Sequence, residues 1–239
     1  MRGQGAGAGT EPGPSRGRAA LRADAPGCRQ PKMTDHVTTP ADERAALQDG
    51  LRRTAVALLE AGIPFALVGG YAAWARGAPE PSHDADFAVT EEDVGRAKEA
   101  LTAAGLEVVQ PSENWLFKAY HHGQLIDVLF RMVGEPITPQ MLASAEELEV
   151  LAVRMPVLQA TEIVSAKMRV LGEHYCDFTW LLPTARALRE QIDWDRVREE
   201  VGDHPYGRAF LFLVDELGIT GAGPRSTSSP GRAELADDD

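Results

Sequence analysis

The chain has 239 residues, of which 44% are apolar and 25% are charged, and its formal net charge is −12. These proportions are ordinary for a globular protein, and the length suffices to bury a core without disulfides or structural metals. Two cysteines, Cys28 and Cys176, are too few for a disulfide framework or a cysteine-based zinc site. No apolar run approaches the roughly 20 residues that span a bilayer. We therefore expect a cytoplasmic protein with no membrane partner.

The charge is unevenly distributed along the chain. Residues 1–32 contain six basic and two acidic side chains, so the remainder has a net charge of −16. An acidic body repels phosphate backbones and disfavours broad nucleic-acid binding. Residues 1–36 are rich in Gly, Ala, Pro and Arg and are predicted to form a disordered leader. Residues 220–239, which end in three aspartates, are predicted to form a disordered acidic tail.

The predicted elements of residues 37–158 alternate between helices and strands. Thr39, followed by Pro40, caps a helix that ends at Gly62. The segment from Thr90 to Asp93 resembles a capping box that starts a second helix, ending near residue 104. A helical turn is predicted over residues 71–75. Strands are predicted over residues 65–68, 84–89, 106–109, 115–121 and 124–130, with His122-Gly123 as the hairpin turn between the last two.

The hydrophobic period becomes helical from residue 160 onward. Helices are predicted over residues 161–171, 177–188, 194–201 and 206–217. The predicted fold class is therefore α/β or α+β, with a small β-sheet domain over residues 37–158 and a helical domain over residues 159–219.

A glycine pair lies at the first strand-to-helix turn. Gly69 and Gly70 follow the strand over residues 65–68 directly. Glycine at such a turn lets the backbone approach a ligand, and the amides at the helix start can hold a phosphate group. The alternative is that the turn needs glycine for its geometry alone.

Three aspartates are the strongest candidates for a metal site. Asp84 and Asp86 are two residues apart on a predicted strand, so their side chains project from the same face. Two neighbouring carboxylates repel each other, and a hard divalent ion relieves this repulsion. The alternative for this pair is an acidic strand end on the surface. Asp127 lies alone within an apolar run and needs a cationic partner, either a metal ion or an arginine such as Arg131 or Arg154.

The glycine pair, Gly77, the segment from Pro81 to Asp86 and Asp127 together resemble the DNA polymerase β-type nucleotidyltransferase superfamily. The resemblance covers about residues 41–219. Within this superfamily, the sequence resembles more closely the bacterial group that contains the AbiEii-type toxins of abortive-infection systems. The resemblance implies a small mixed β-sheet nucleotidyltransferase core followed by a helical domain. It also implies an enzyme that uses Mg²⁺ or Mn²⁺ to transfer a nucleoside monophosphate from a nucleoside triphosphate to a hydroxyl group, releasing pyrophosphate.

The resemblance also implies roles for individual residues. Asp84, Asp86 and Asp127 correspond to the metal-binding carboxylates, and Asp127 also activates the attacking hydroxyl. The acceptor would be a tRNA, a protein or a small molecule such as an aminoglycoside, and a small antitoxin would be a partner. The residues implied near the nucleotide are Gly69, Gly70, Ser82, Lys167 and Asp177.

The sequence departs from this pattern at three positions. Tyr71 follows the glycine pair where relatives often have serine, and Glu80 lies in a region where an arginine is common. Tyr175-Cys176 precedes Asp177 where a basic residue is expected. Each departure removes a phosphate-binding donor or a cation. The missing basic groups at Glu80 and at Tyr175-Cys176 favour the alternative hypothesis, a non-catalytic module that binds a nucleotide or a partner on the same fold.

Several other residues have more than one interpretation. Lys167 is either a phosphate ligand or a surface lysine on an amphipathic helix. His83, beside Asp84, either contacts a phosphate or is an exposed histidine at a strand start. The adjacent His121 and His122 point to opposite faces of a strand and favour a role beside the turn over metal binding. The four tryptophans are interpreted as anchors of the core or of an interface: Trp74, Trp115, Trp180 and Trp194.

Overall fold

A seven-stranded mixed sheet lies at the centre of the computed structural model, which describes residues 39–221. Its strands are β1 (Phe65–Val68), β2 (Asp84–Val89), β3 (Glu107–Val109), β4 (Leu116–His121), β5 (Gln124–Leu129), β8 (Glu146–Val150) and β9 (Val153–Val157). A separate two-stranded sheet pairs β6 (Arg131–Met132) with β7 (Glu135–Pro136). The order across the large sheet is β3-β4-β5-β2-β1-β9-β8. The pairs β2–β5 and β1–β9 are parallel and the others antiparallel. The predicted mixed α/β fold class is confirmed.

The helices flank this sheet and then form the C-terminal part of the described chain. They are α1 (Pro40–Glu60), α2 (Gly69–Ala75), α3 (Val94–Ala103), α4 (Pro139–Ala143), α5 (Ala160–Arg169), α6 (Phe178–Leu188), α7 (Trp194–Val201) and α8 (Pro205–Glu216). The N-terminus of α1 shows the predicted cap, since the Thr39 hydroxyl accepts from the Asp42 amide at 3.2 Å and Pro40 takes the first position. Within residues 39–221, every helix is too short or too polar to cross a bilayer.

The local prediction was incomplete in one segment and wrong in another. The sequence analysis assigned no element between residues 131 and 157, where the structure has β6, β7, α4 and the β8–β9 hairpin. The edge strand β8 has three glutamates in five residues, which gives it a poor strand signal. The predicted capping box at Thr90 is absent because its hydroxyl donates to the Asp93 carboxylate at 2.9 Å. Residues Glu91–Asp93 form a 3₁₀ turn, and α3 begins only at Val94.

The predicted disordered leader over residues 1–36 lies outside the described residues, as do residues 222–239 of the predicted tail. The division into a sheet domain over residues 37–158 and a helical domain over residues 159–219 stays a prediction.

Arg76 connects the sheet to the helical part of the chain. Its guanidinium is 6% exposed and donates to the carbonyl oxygens of Val157 at 3.0 Å and Leu158 at 2.7 Å, just where β9 ends. It also donates to the Glu146 carboxylate at 2.9 Å. The side-chain amide of Gln191, after α6, donates to the Arg76 carbonyl at 2.9 Å. One side chain thus holds the end of α2 against the strand that leads into α5.

We expect the substitution Arg76→Met to lower the free energy of unfolding by about 2 kcal/mol, because it leaves two buried carbonyl oxygens without a donor. Urea denaturation followed by circular dichroism measures this change. Arg154→Met is the matched control, since Arg154 is exposed and forms only a 3.8 Å ion pair with Glu147. Equal effects of the two substitutions would contradict the role assigned to Arg76.

Candidate active site

The three predicted carboxylates meet on one face of the sheet. Asp86 on β2 lies directly opposite Asp127 on the parallel strand β5, and the two-residue period places Asp84 on the same face. One oxygen from each carboxylate lies within 4.8 Å of the others. The predicted convergence of the three side chains is therefore confirmed, whereas their catalytic roles stay predictions.

The alternating neighbours of these aspartates explain why the acids face away from the core. Phe87 on β2 and Ile126 and Val128 on β5 are fully buried and point to the opposite face of the sheet. Helix α1 covers that face, where its Gly50 lies close to the Ile126 side chain. Burial of one face of each strand thus fixes the carboxylates on the other.

A cavity of about 790 Å³ contains the three carboxylates. Its volume is in the range of small-molecule binding sites. Every other residue that the sequence predicted for the site also lines it: Gly69, Gly70, Ser82, Lys167 and Asp177. The exposed His83 lines it too, next to Asp84. The sequence did not predict the cavity-lining roles of Trp115, Arg131, Val133, Tyr175 and Trp180.

The first glycine of the pair is required by Asp86. Gly69 has a φ of +62°, and a Cβ atom there would lie only 2.0 Å from Asp86 Oδ2. The backbone amide of Gly70 donates a hydrogen bond to the Asp86 carboxylate. The predicted role of the amides at this turn in holding a phosphate group stays a prediction. The position of the Asp86 carboxylate therefore explains why residue 69 is a glycine.

The electrostatics of the site favour a cation. Burial, together with the charges of Asp84 and Asp127, raises the pKa of Asp86 to about 7. The Lys167 charge and the Gly70 amide oppose this effect without cancelling it. Burial also raises the pKa of Asp127, against the opposing influence of Lys118. The cluster therefore resists full ionisation in the absence of a positive charge between its members.

These residues fit a hard divalent metal ion. Three carboxylates offer oxygen ligands at mutual distances that one ion can bridge. Burial raises the pKa values of Asp86 and Asp127, and the neighbouring carboxylate charges add to this effect. Asp84, Asp86 and Asp127 would hold the ion. The donor set suits Mg²⁺ and Mn²⁺ equally, so the predicted choice of metal stays a prediction.

The cationic neighbour of Asp127 is Lys118, not an arginine. Lys118 Nζ lies 3.3 Å from Asp127 Oδ1. The alternatives Arg131 and Arg154 pair instead with Glu91 and Glu147. A signal for Lys118 was present in the sequence, because a two-residue turn at His122-Gly123 places Lys118 directly opposite Asp127 in the β4–β5 hairpin.

The helical part of the chain contributes Lys167 and Trp180 to the cavity. The Lys167 ammonium lies 5.1 Å from the centroid of the Trp180 ring, which is a cation–π contact, and its charge acts on Asp86. Lys167 is therefore more than a surface lysine. Asp177 caps α6, where its carboxylate accepts from the Thr179 amide at 2.7 Å, and this bond lowers the pKa of Asp177.

Two of the departures from the family pattern contact each other. Tyr71 is fully buried, and its hydroxyl donates to Glu80 at 3.4 Å. Burial and the Glu80 charge raise the pKa of Tyr71 to about 12, so the hydroxyl keeps its proton. Glu80 also accepts from Gln48 at 2.7 Å and lies 3.7 Å from Arg44. Tyrosine and glutamate at these positions form one hydrogen-bonded unit beside the cavity.

Two of the aromatic residues that the sequence analysis considered, Trp115 and His121, differ in how far they are buried. Trp115 is 42% exposed and lines the cavity, so it is not an anchor of the core, whereas its alternative role as an anchor of an interface stays a prediction. His121 is buried beside the hairpin turn, as predicted, and its Nε2 lies 2.7 Å from Asp49 on α1.

Comparisons with known proteins identify the family and the fold. The model of the uncharacterised nucleotidyltransferase family matches residues 22–215. The solution structure of the antibiotic-resistance factor ANT(2'')-Ia matches with a TM-score of 0.51 and 16% identity, covering 71% of this chain and 97% of that one. At this identity the likeness shows the fold alone.

Two further solved structures resemble the chain more distantly. A putative nucleotidyltransferase from Thermotoga maritima has a TM-score of 0.43 and 16% identity, covering 57% of this chain and 88% of that one. The lincomycin-bound lincosamide antibiotic adenylyltransferase LnuA has a TM-score of 0.41 and 12% identity, covering 57% of this chain and 94% of that one. No curated protein matches the chain in sequence.

We expect Gly69→Ala to destabilise the protein and to displace Asp86, because the added methyl group collides with that carboxylate. Gly62→Ala is the matched control, since Gly62 has nearly the same φ of +60° but no atom within 4 Å of the added Cβ. Both substitutions bear the left-handed backbone strain, so Gly69→Ala should cost at least about 1 kcal/mol more than Gly62→Ala. Denaturant unfolding of both variants measures the difference, and equal losses would show that Asp86 is not the obstacle.

The raised pKa of Asp86 predicts a pH dependence of stability in the absence of metal. The native state binds this proton more tightly than the unfolded state, so the contribution of Asp86 to the free energy of unfolding falls as pH rises from about 4 to about 7. In Asp86→Asn this contribution is absent. The variant should therefore exceed the wild type in stability at pH 8 with a chelator present, and the gain should shrink toward pH 4. Denaturation at several pH values tests this, and a gain that is constant with pH would contradict it.

Proposed function

The chain belongs to the uncharacterised nucleotidyltransferase family, and we propose that it uses a divalent metal ion to transfer a nucleoside monophosphate from a nucleoside triphosphate to the hydroxyl group of a small molecule. Nucleotidyl transfer itself follows from the family, which favours an enzyme over a non-catalytic binding module. The observation that supports the metal-dependent reaction is the meeting of Asp84, Asp86 and Asp127 inside one cavity.

In this proposal, Asp127 is the general base. Its carboxylate lines the cavity that would contain the acceptor hydroxyl, and an ionised aspartate there can accept the hydroxyl proton. As the proton moves to Asp127, the hydroxyl oxygen forms a bond to the α-phosphorus. The bond between the α-phosphorus and its bridging oxygen to the β-phosphate breaks, and pyrophosphate leaves.

The remaining residues act on charge and position. A bound divalent ion supplies electrostatic stabilisation of the attacking and leaving oxygens. Asp84 and Asp86 would hold this ion, and Gly70 orients Asp86 through its amide. Lys167 would neutralise phosphate charge from the helical side, with Trp180 restricting the direction in which its ammonium points. Ser82 is a further proposed donor to the nucleotide.

A small molecule is the acceptor that we propose. The body of the chain is acidic, and the cavity has five carboxylates against the two basic side chains Arg131 and Lys167, which disfavours a polyanionic acceptor such as RNA. Hydroxyl-bearing antibiotics are the first acceptors to test, because the antibiotic-resistance factor shares the fold. The AbiEii-like specificity, a small antitoxin partner and a cytoplasmic location stay predictions. Co-purification of the tagged chain from its own host tests the partner.

The proposed reaction can be tested with α-phosphate-labelled nucleoside triphosphates, Mg²⁺ or Mn²⁺, and panels of aminoglycosides, lincosamides, tRNA and protein acceptors. We expect label on a small-molecule acceptor, and a loss of at least about 100-fold in rate for Asp127→Asn, since it removes the base and a metal ligand. Asp195→Asn is the matched control, because Asp195 is 98% exposed, does not line the cavity and should leave the rate unchanged.

Three results would contradict the proposal. Full activity of Asp127→Asn would exclude this carboxylate as base and ligand. Undiminished transfer in the presence of a chelator would exclude metal dependence. Label on tRNA or protein, with none on any small molecule, would overturn the proposed acceptor class.

A further inference from the structure

A row of charged side chains crosses three neighbouring strands of the sheet. Lys118 on β4 lies opposite Asp127 on β5, and Asp127 lies opposite Asp86 on β2. Residues that are directly opposite in paired strands have their side chains on the same face. Lys118 therefore ends the row on the β4 side, next to the carboxylate that the proposed metal ion would share.

The contact between Lys118 and Asp127 is partly shielded from water. Their ammonium nitrogen and carboxylate oxygen are 3.3 Å apart, and their side chains are 26% and 13% exposed. Lys118 does not line the cavity, whereas Asp127 does. The lysine therefore approaches Asp127 from outside the cavity and leaves the cavity side of the carboxylate open to a second cation.

We propose that Lys118 is a built-in counter-cation that lowers the affinity of the carboxylate cluster for a divalent ion when no nucleotide is bound. The inference rests on the metal site of the proposed function. Lys118 would neutralise part of the charge of Asp127 and keep the metal-free cluster folded. It would also repel an ion that binds the same carboxylate.

The balance of charges decides the direction of this effect. With all three carboxylates ionised, the cluster together with Lys118 and Lys167 has a net charge of −1, which attracts a divalent ion only weakly. Without Lys118 the net charge is −2, and the repulsion between an ammonium and a divalent ion on one carboxylate is gone. At separations of a few ångströms in a partly hydrated site, a change of one unit charge corresponds to roughly tenfold in affinity. Bound nucleotide phosphates would restore the missing negative charge, so the wild-type site would favour arrival of the ion with the nucleotide.

Lys118→Met tests this inference through metal binding alone, with no need for an acceptor. The experiment titrates Mn²⁺ into the nucleotide-free protein at pH 8 and follows binding by calorimetry and by the electron paramagnetic resonance of the free ion. We expect Lys118→Met to bind Mn²⁺ about tenfold more tightly than the wild type. Lys118→Arg keeps the charge and should bind as the wild type does. Arg154→Met, which removes a positive charge outside the cavity lining, should also leave the affinity unchanged.

A double-mutant cycle identifies the carboxylate through which Lys118 acts. In an Asp127→Asn background, Lys118→Met should no longer tighten Mn²⁺ binding, because the shared ligand is gone. A tenfold gain that persists in this background would overturn the assigned role of Lys118. Lys118→Gln is the substitute if the methionine variant does not fold, as judged by circular dichroism.

The outcomes separate this inference from the proposed function. Unchanged or weaker Mn²⁺ binding by Lys118→Met and Lys118→Gln, with clear binding by the wild type, would overturn the counter-cation while leaving the metal site intact. No Mn²⁺ binding by the wild type or by either variant would overturn both.

Discussion

Mutual repulsion among three carboxylates is the constraint on which the rest of the site depends. Asp84, Asp86 and Asp127 have oxygens within 4.8 Å of one another on a half-buried face of the sheet. Such a cluster is unfavourable alone, and the surrounding residues reduce its cost in different ways. An amide from the glycine pair binds one carboxylate, and two lysines place positive charge at opposite ends. These groups do not balance the negative charge of the cluster fully, and a bound metal ion would supply the positive charge that is still lacking.

The same constraint explains why the site draws on both parts of the chain. The carboxylates and Lys118 come from the sheet, where strand register sets their spacing. Lys167 and Trp180 come from the helices that follow β9, and Arg76 ties that junction to α2 through two backbone carbonyls. The second cation therefore reaches Asp86 only when the helices are packed against the sheet. Completion of the site therefore requires the helical part of the chain.

Departures from the expected motif make physical sense when they are taken in pairs. Tyr71 alone removes a small hydroxyl beside the glycine pair, and Glu80 alone places an acid where a base is common. In the structure the buried tyrosine donates to that glutamate, which Gln48 and Arg44 also hold. The two changes are compatible because each supplies the partner that the other needs. They alter the wall of the cavity and leave the three carboxylates in place.

The sequence by itself determined the alternation of helices and strands and the aspartates as candidate ligands. The short turn at His122-Gly123 also implies the register of β4 and β5, and so the neighbour of Asp127, although our prediction named an arginine there. These features depend on local periodicity and turn chemistry. Only the tertiary structure decided that β2 lies parallel to β5, that β8 closes the sheet edge despite its glutamates, and that Trp180 lies against Lys167. Those contacts join residues that are far apart in the chain. Their pairing depends on the packing of the whole core, so a local sequence pattern does not predict it.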